Sequence, residues 1–248
     1  MERKVIVITG ASGGIGAALA ELLAAQGHAL VLVARRAETL KAVAMRCDAH
    51  ALPIKADVTR REDVKRIVAA AITGFGQLDV WVNNVGRGIS CLPSQLTDSD
   101  IDDMMRINVK TALYGMQETL PHFMLRGEGH VINISSMLGR VPSAEYRAAY
   151  GGAKHYLNSL TADFRAEVQE DFPHIQYSLV SPGVVATDFG RNAMHGGPDS
   201  RDLPGAQSAE EVADVIARVV ETRVPDAYTL PGAHRRVVNY FSSLTDDA

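Results

Sequence analysis

The chain has 248 residues, 46% hydrophobic and 22% charged, with a formal net charge of −4. That length suits one large α/β domain or two small ones, and the slightly acidic balance leaves no basic footprint for nucleic acid. No apolar run is long enough to span a membrane, and only four apolar residues separate the MERK start from Thr9 and Gly10, too few for a signal peptide, so a cytoplasmic globular protein is expected.

Residues Lys4 to Ile8 (KVIVI) form a continuous, β-branched apolar run, the pattern of a strand buried on both faces. Thr9 to Gly16 (TGASGGIG) follows at once, and Ala17 to Ala25 is helix-forming with Leu19, Leu22 and Leu23 on one side. A strand, a glycine-rich turn and a helix make an anion site, because glycines let the backbone approach a phosphate and the helix start offers unpaired N–H groups. The spacing is Gly10-x3-Gly14-x-Gly16, which differs from the common G-x-G-x-x-G fingerprint. A second strand, His28 to Ala34, ends in Arg35 and Arg36. A dinucleotide fold that takes NAD carries a carboxylate at this place to hold the ribose 2′-OH. Two guanidiniums instead suit a 2′-phosphate, so NADP is the expected cofactor.

Alternation continues with a helix at Glu38 to Arg46, a strand at Ala51 to Ala56 before Asp57-Val58, and an amphipathic helix at Arg61 to Ile72. Leu78 to Val82 is a fourth strand, ending in Asn83-Asn84-Val85-Gly86. Strands and helices in alternation with short loops predict a doubly wound, Rossmann-type parallel sheet of about seven strands with helices on both faces. The Thr97-Asp98-Ser99 cluster caps a long helix that Pro121 is expected to kink or restart, with Asn108 alone among apolar neighbours. That asparagine has a structural reading as a hydrogen-bonding brace and a functional one as part of a proton or water relay.

Next, His130 to Ser136 reads as a strand that delivers Ser136 to the sheet's carboxyl edge, where open α/β sheets bind ligands. Tyr150 and Lys154 lie four apart on one face of the following helix. The pair alone is a weak signal, but its chemistry is specific. A neighbouring ammonium favours the phenolate and is expected to draw the phenol toward neutrality, making Tyr150 a proton donor or acceptor at an alcohol or carbonyl oxygen. Ile175 to Val180 is a sixth strand, followed by Pro182-Gly183 and Thr187. Residues Asp188 to Gln207 hold four Gly and two Pro and no apolar period, the composition of a lid or binding segment. Ser208 to Thr222 is a capped helix, and Ala227 to Leu230 a last strand. In the tail, Val237, Val238, Phe241 and Leu244 share a helical face expected to dock on the core or on another subunit. Cys47 and Cys91 stand apart and the eight His form no His-x-x-x-His pair, so reduced thiols and no metal site are expected. One domain is expected to span the chain.

Taken together, these motifs resemble the single-domain short-chain dehydrogenase/reductase family over about residues 4 to 232. TGASGGIG, Asp57-Val58, Asn83-Asn84-Val85-Gly86, Asn108, Ser136, Tyr150-x-x-x-Lys154 and Pro182-Gly183 with Thr187 occur in family order. The resemblance implies carbonyl–alcohol oxidoreduction with a nicotinamide cofactor and an Asn108–Ser136–Tyr150–Lys154 tetrad. It makes Tyr150 the acid/base and Lys154 the group that tunes it and holds the nicotinamide ribose. Ser136 orients the substrate oxygen, and Asn108 holds a water of the proton relay. By the same resemblance Gly10, Ser12, Gly14, Ile15 and Gly16 line the pyrophosphate, Asp57 and Val58 the adenine, and Asn84 and Gly86 the ribose region. Pro182, Gly183, Val185 and Thr187 border the nicotinamide carboxamide, and a homodimer or homotetramer is implied. Two departures stand out: Val85 replaces a usual alanine, and Ser136 lies 14 residues before Tyr150 where 13 is common. A loop insertion accounts for the second, and strand alternation selects Ser136 over Ser135. Enoyl-thioester reduction goes with Tyr-x6-Lys, and position 147 is Arg. The alternative is a non-catalytic dinucleotide sensor or scaffold on the same fold, which predicts a broken tetrad.

Overall fold

A computed structural model describes residues 2–48 and 51–244. Seven strands, β1 (Val5–Thr9), β2 (Ala29–Ala34), β3 (Ala51–Lys55), β4 (Val80–Asn83), β5 (Gly129–Ile134), β6 (Ile175–Ser181) and β7 (Asp226–Tyr228), form one parallel sheet in the order β3-β2-β1-β4-β5-β6-β7. The order reverses between β1 and β4, so the carboxyl ends of these strands frame the crevice where such sheets bind ligands.

Strand alternation divides the core into two layers. Ile6, Ile8, Leu30, Leu32, Val82 and Ile132 meet α1 (Gly14–Ala25), α2 (Ala37–Arg46) and α7 (Ala209–Thr222). Val7, Val31, Val33, Trp81, Val131 and Tyr177 meet α3 (Arg61–Phe75), α5 (Thr111–Arg126) and α6 (Ala148–Gln169) on the other side. Both faces being covered, the central strands need no polar alternate, which is why they read as unbroken apolar runs.

Four buried polar side chains on this second side form one network. Trp81 Nε1 donates to Asn83 Oδ1 at 2.6 Å, Asn83 Nδ2 to Asn133 Oδ1 at 2.8 Å, and Asn133 Nδ2 to Thr161 Oγ1 at 2.9 Å. The chain of bonds ties β4 and β5 to α6, so it sets the height of α6 against the strand that carries Ser136. Gly115 in α5 makes room for it, since a Cβ there would stand 2.3 Å from Trp81 Nε1.

Three expectations need correction. The long helix is interrupted at Arg106–Lys110 by a π-helical turn between α4 (Asp98–Met105) and α5, and α5 runs on through Pro121 to Arg126. Met116 and Phe123, packed in the core on either side of Pro121, hold the helix together across the missing N–H. The last strand lies a residue or two earlier than expected, at Asp226–Tyr228. Finally, α8 (Ala233–Ser242) buries Ala233 but leaves Val238 and Phe241 exposed, with Leu244 exposed just beyond it, so of the two expected docking partners the chain's own core is set aside and another subunit is left.

Candidate active site

The β5 strand ends at Ile134, and two further residues carry the backbone to the crevice. Their side chains part as alternation requires. Ser135 Oγ donates to Asn158 Oδ1 at 2.5 Å, and Asn158 Nδ2 donates to the Gly139 carbonyl at 2.6 Å, bracing the loop against α6. Ser136 Oγ accepts from Leu138 N at 3.1 Å and interacts with the Tyr150 phenol. The longer Ser136–Tyr150 interval is therefore absorbed without separating the two side chains.

Tyr150 and Lys154 lie one turn apart on α6 and are almost wholly covered, at 6% and 3% exposure. Phe189 meets the Tyr150 ring edge to face, with centroids 5.5 Å apart. Lys154 Nζ donates to the Ile134 carbonyl at 2.8 Å and stands 5.8 Å from the Tyr150 ring centroid. A Cβ at Gly86 would lie 3.1 Å from Asn108 Oδ1 and 3.6 Å from Lys154 Nζ, so these two groups flank Gly86. Asn108 sits inside the π-helical turn, a distortion that recurs at functional sites. Its Oδ1 accepts from Arg87 N at 3.0 Å, and its Nδ2 donates to the Arg87 and Met104 carbonyls at 3.0 and 3.2 Å. Both ends of the amide thus clamp the loop after β4.

Burial governs the electrostatics. It pushes the Tyr150 phenol up to about 12, opposed by the Ser136 hydroxyl and by the Arg147 guanidinium. The expectation that Lys154 draws the phenol toward neutrality is not met, because burial outweighs every favourable charge and the cation acting on the phenol is Arg147. Burial also pulls Lys154 down to about 8. The charged form is therefore penalised in the fold below pH 8, and the penalty fades as pH rises toward the ordinary lysine value of 10.5. Wild type is expected to gain stability relative to Lys154→Met over that interval, by up to about 3 kcal/mol. Chemical denaturation of both proteins from pH 7 to pH 10 checks this, and a constant difference would mean that Lys154 titrates as if exposed.

The glycine turn makes a cradle. Gly10 and Gly14 have φ of +69° and +53°, where side chains are strained, and a Cβ at Gly16 would stand 2.4 Å from the Gly10 carbonyl oxygen. Their absence lets the chain fold back closely before α1, whose helix starts at Gly14, three residues earlier than its apolar pattern suggests. Asn84 Nδ2 donates to the Thr9 carbonyl at 3.0 Å, joining the ends of β1 and β4. Arg36 Nη2 donates to Ser12 Oγ at 3.1 Å, which places its guanidinium over the turn, while Arg35 is exposed and makes no ion pair among the described residues. Asp57 Oδ1 accepts from Thr59 N and Oγ1 at 3.0 and 2.8 Å, fixing the bend after β3, and Val58 is buried beside it. Across the crevice, the Pro182 carbonyl accepts from Met137 N at 2.8 Å, and Gly183 leaves room for Leu230. Val185 is buried, and Thr187 Cγ2 would lie 3.1 Å from a Cβ at Gly14. These features fit a dinucleotide: a helix start, a glycine-rich turn, and a cation at the end of β2. A solvent cleft bordered by Gly13, Gly14, Thr187 and Arg201 adjoins the turn, and no member of the tetrad lines it.

Residues 188–207 close the other side. The segment pairs with the loop after β4 through an Ile89–Met194 bridge, and Arg87 Nε donates to the Asn192 carbonyl at 2.9 Å. His195 Nε2 lies 2.7 Å from Asp100 Oδ1, and Cys91 joins them with its sulfur within 4.8 Å of both. Sequence spacing gave no sign of this cluster, because its members come from three separate segments. Asp100 is already committed to the start of α4, accepting from Thr97 N and Oγ1 at 3.0 and 2.8 Å, so the group reads as a strut for the loop. Arg147, also missed in the sequence except as a spacing mismatch, projects into the same region.

Comparison with known proteins agrees with this architecture. The short chain dehydrogenase family model matches residues 4–196. An uncharacterized oxidoreductase of Staphylococcus epidermidis is 34% identical over 199 residues, covering 77% of this chain and 84% of that protein. A short-chain dehydrogenase/reductase from Burkholderia phymatum, solved in complex with NAD, superposes with a TM-score of 0.89 over 100% of this chain and 98% of its own, at 23% identity. An alcohol dehydrogenase from Thermococcus sibiricus, solved with 5-hydroxy-NADP, is 27% identical with a TM-score of 0.79, covering 92% of this chain and 96% of its own. With the motif order, the seven-stranded sheet and the family match in agreement, the chain belongs to the short-chain dehydrogenase family of oxidoreductases.

Proposed function

We propose that this protein is an NADP(H)-dependent oxidoreductase that interconverts a carbonyl and a secondary alcohol, with Tyr150 as general acid/base. The reading is carried by one observation: Ser136, Tyr150, Lys154 and Asn108, from three different parts of the chain, meet at the carboxyl edge of the sheet beside a glycine cradle. A bound nicotinamide dinucleotide supplies the hydride. Ser136 orients the substrate oxygen against the phenol. Tyr150, kept protonated by its burial, gives its proton to that oxygen as negative charge develops there. Lys154, anchored on the Ile134 carbonyl, has further N–H donors for ribose hydroxyls, and a proton relayed through it from the Gly86–Asn108 side restores Tyr150 after the phenol has protonated the substrate oxygen. The solved relatives above hold NAD in one case and an NADP derivative in the other. The preference for NADP therefore rests on this chain's Arg35 and Arg36.

The direct test is consumption of NADPH and NADH over a panel of ketones, diketones, aldehydes and oxoacyl thioesters. Turnover of at least one carbonyl, faster with NADPH, is expected. Cofactor binding with no turnover of any member would favour a sensor or scaffold instead. The single continuous sheet supports one cofactor and catalytic domain with 188–207 as its substrate lid. Two free cysteines fit a reducing cytoplasm, and no helix among the described residues is long and apolar enough to cross a membrane. A homodimer or homotetramer is also expected: Ile101, Met124, Leu125 and Tyr156 are exposed on α4, α5 and α6, as are Val238 and Phe241 on α8. Light scattering at micromolar concentration should give a multiple of 26.7 kDa. A monomer would remove this part of the reading.

A further inference from the structure

Arg147 stands three residues before Tyr150, at the start of α6, and its guanidinium is half-buried. Among the described residues it makes no ion pair, and its hydrogen bond is to a neutral group, from Nη1 to the Ile89 carbonyl at 3.0 Å. Burial pulls its pKa down, and the charge that acts in the opposite sense is that of the Tyr150 phenolate, with no carboxylate contributing. A guanidinium carries five N–H donors in a planar fork, and a covered cation is ordinarily paired. Here the described residues supply no anion.

The surroundings are shaped to admit this side chain. A Cβ at Gly88 would lie 2.6 Å from Arg147 Nη1 and 3.0 Å from Phe189 Cε1, and one at Gly197 would lie 3.3 Å from Arg147 Nη2. Neither glycine has the positive φ that would call for glycine on backbone grounds. Phe189 in turn packs against the Tyr150 ring. Two loops without side chains at the contact points, one after β4 and one within 188–207, therefore hold the guanidinium beside the proton-donating tyrosine.

We propose that Arg147 is the anion-binding residue of the substrate site, and that the substrate is a carbonyl or hydroxy compound bearing a carboxylate or phosphate close to the reacting carbon. The fork geometry matches either group, and both bring the negative charge the site lacks. This rests on the oxidoreductase reading above, and the test separates the two.

The experiment compares matched anionic and neutral carbonyls: 2-oxobutanoate, 3-oxobutanoate and 4-oxopentanoate against their methyl esters, and dihydroxyacetone phosphate against dihydroxyacetone. kcat/KM is measured for wild type, Arg147→Met and Arg147→Lys. Any effect of the guanidinium on Tyr150 acts on both members of a pair, so the ratio within a pair isolates the anion contact. A charge-assisted contact predicts a ratio of about 10 or more in wild type, near 1 in Arg147→Met and intermediate in Arg147→Lys. Which pair has the largest ratio distinguishes carboxylate from phosphate. Calorimetric titration of the same anions into wild type and Arg147→Met gives a readout that needs no turnover. Binding that Arg147→Met loses supports the proposal even if no carbonyl is reduced, in which case only the oxidoreductase reading falls. Wild-type ratios near 1, equal ratios in wild type and Arg147→Met, or no anion binding to wild type would each overturn it.

Discussion

Tyr150→Phe is expected to lower kcat by about 10²- to 10⁴-fold while leaving NADPH binding nearly unchanged. The ring is buried against Phe189, so phenylalanine keeps the packing and removes only the hydroxyl that interacts with Ser136. Because burial pushes this phenol up to about 12, it is protonated throughout the neutral range. A protonated tyrosine suits carbonyl reduction, which consumes a proton at the substrate oxygen. Alcohol oxidation needs the phenolate. Wild-type reduction should therefore be flat from pH 6 to pH 8, while oxidation climbs with pH. Stopped-flow turnover of the variant, with fluorescence titration of NADPH, checks the first part, and a pH profile in each direction checks the second. Near-normal turnover in Tyr150→Phe would remove this residue from the mechanism.

The second large effect concerns the end of β2. Arg36 reaches Ser12 at 3.1 Å and covers the glycine turn, whereas Arg35 is exposed and has no partner among the described residues. A charge-assisted hydrogen bond to a phosphate is worth about 1.5–3 kcal/mol, roughly 10- to 150-fold in affinity. Arg36→Ala should lose that factor for NADPH and leave NADH almost unaffected. Arg35→Asp should lose at least as much, because it removes a cation and sets a carboxylate against the 2′-phosphate. It should also improve NADH, whose 2′-OH can donate to the new carboxylate. Position 13, where a further basic side chain could assist, is Gly, and its nearest neighbour is Arg36 itself. kcat/KM for both cofactors in the three proteins decides the matter. A wild type that prefers NADH, or an unmoved preference in both variants, would refute the reading of this strand end.

Much of the molecule was legible because its signals are local. An unbroken β-branched run such as Val5 to Ile8 can be satisfied only by a strand covered on both sides, and the Ser208–Glu211 capping box marks the start of α7 by its own side chains. The order of glycine turn, Ser136, Tyr150 and Lys154 likewise lies in the chain itself, and the structure brings those residues to one edge.

Three features depended on contacts between distant segments. The sign of the Tyr150 shift depends on how much protein covers the phenol, and Lys154 four residues away could not reveal that burial would prevail. The π-helical turn at Arg106–Lys110 has no propensity signal, because its reason lies in the Asn108 clamp on Arg87. The setting of Arg147 requires loops from residues 88 and 197 to arrive beside residue 147, a convergence that tertiary packing alone decides. Periodicity and motif order therefore determine the sheet, the family and the candidate site residues, since each is written in neighbours along the chain. Burial, charge balance and the shape of the substrate site are decided by the fold, since they arise from neighbours in space.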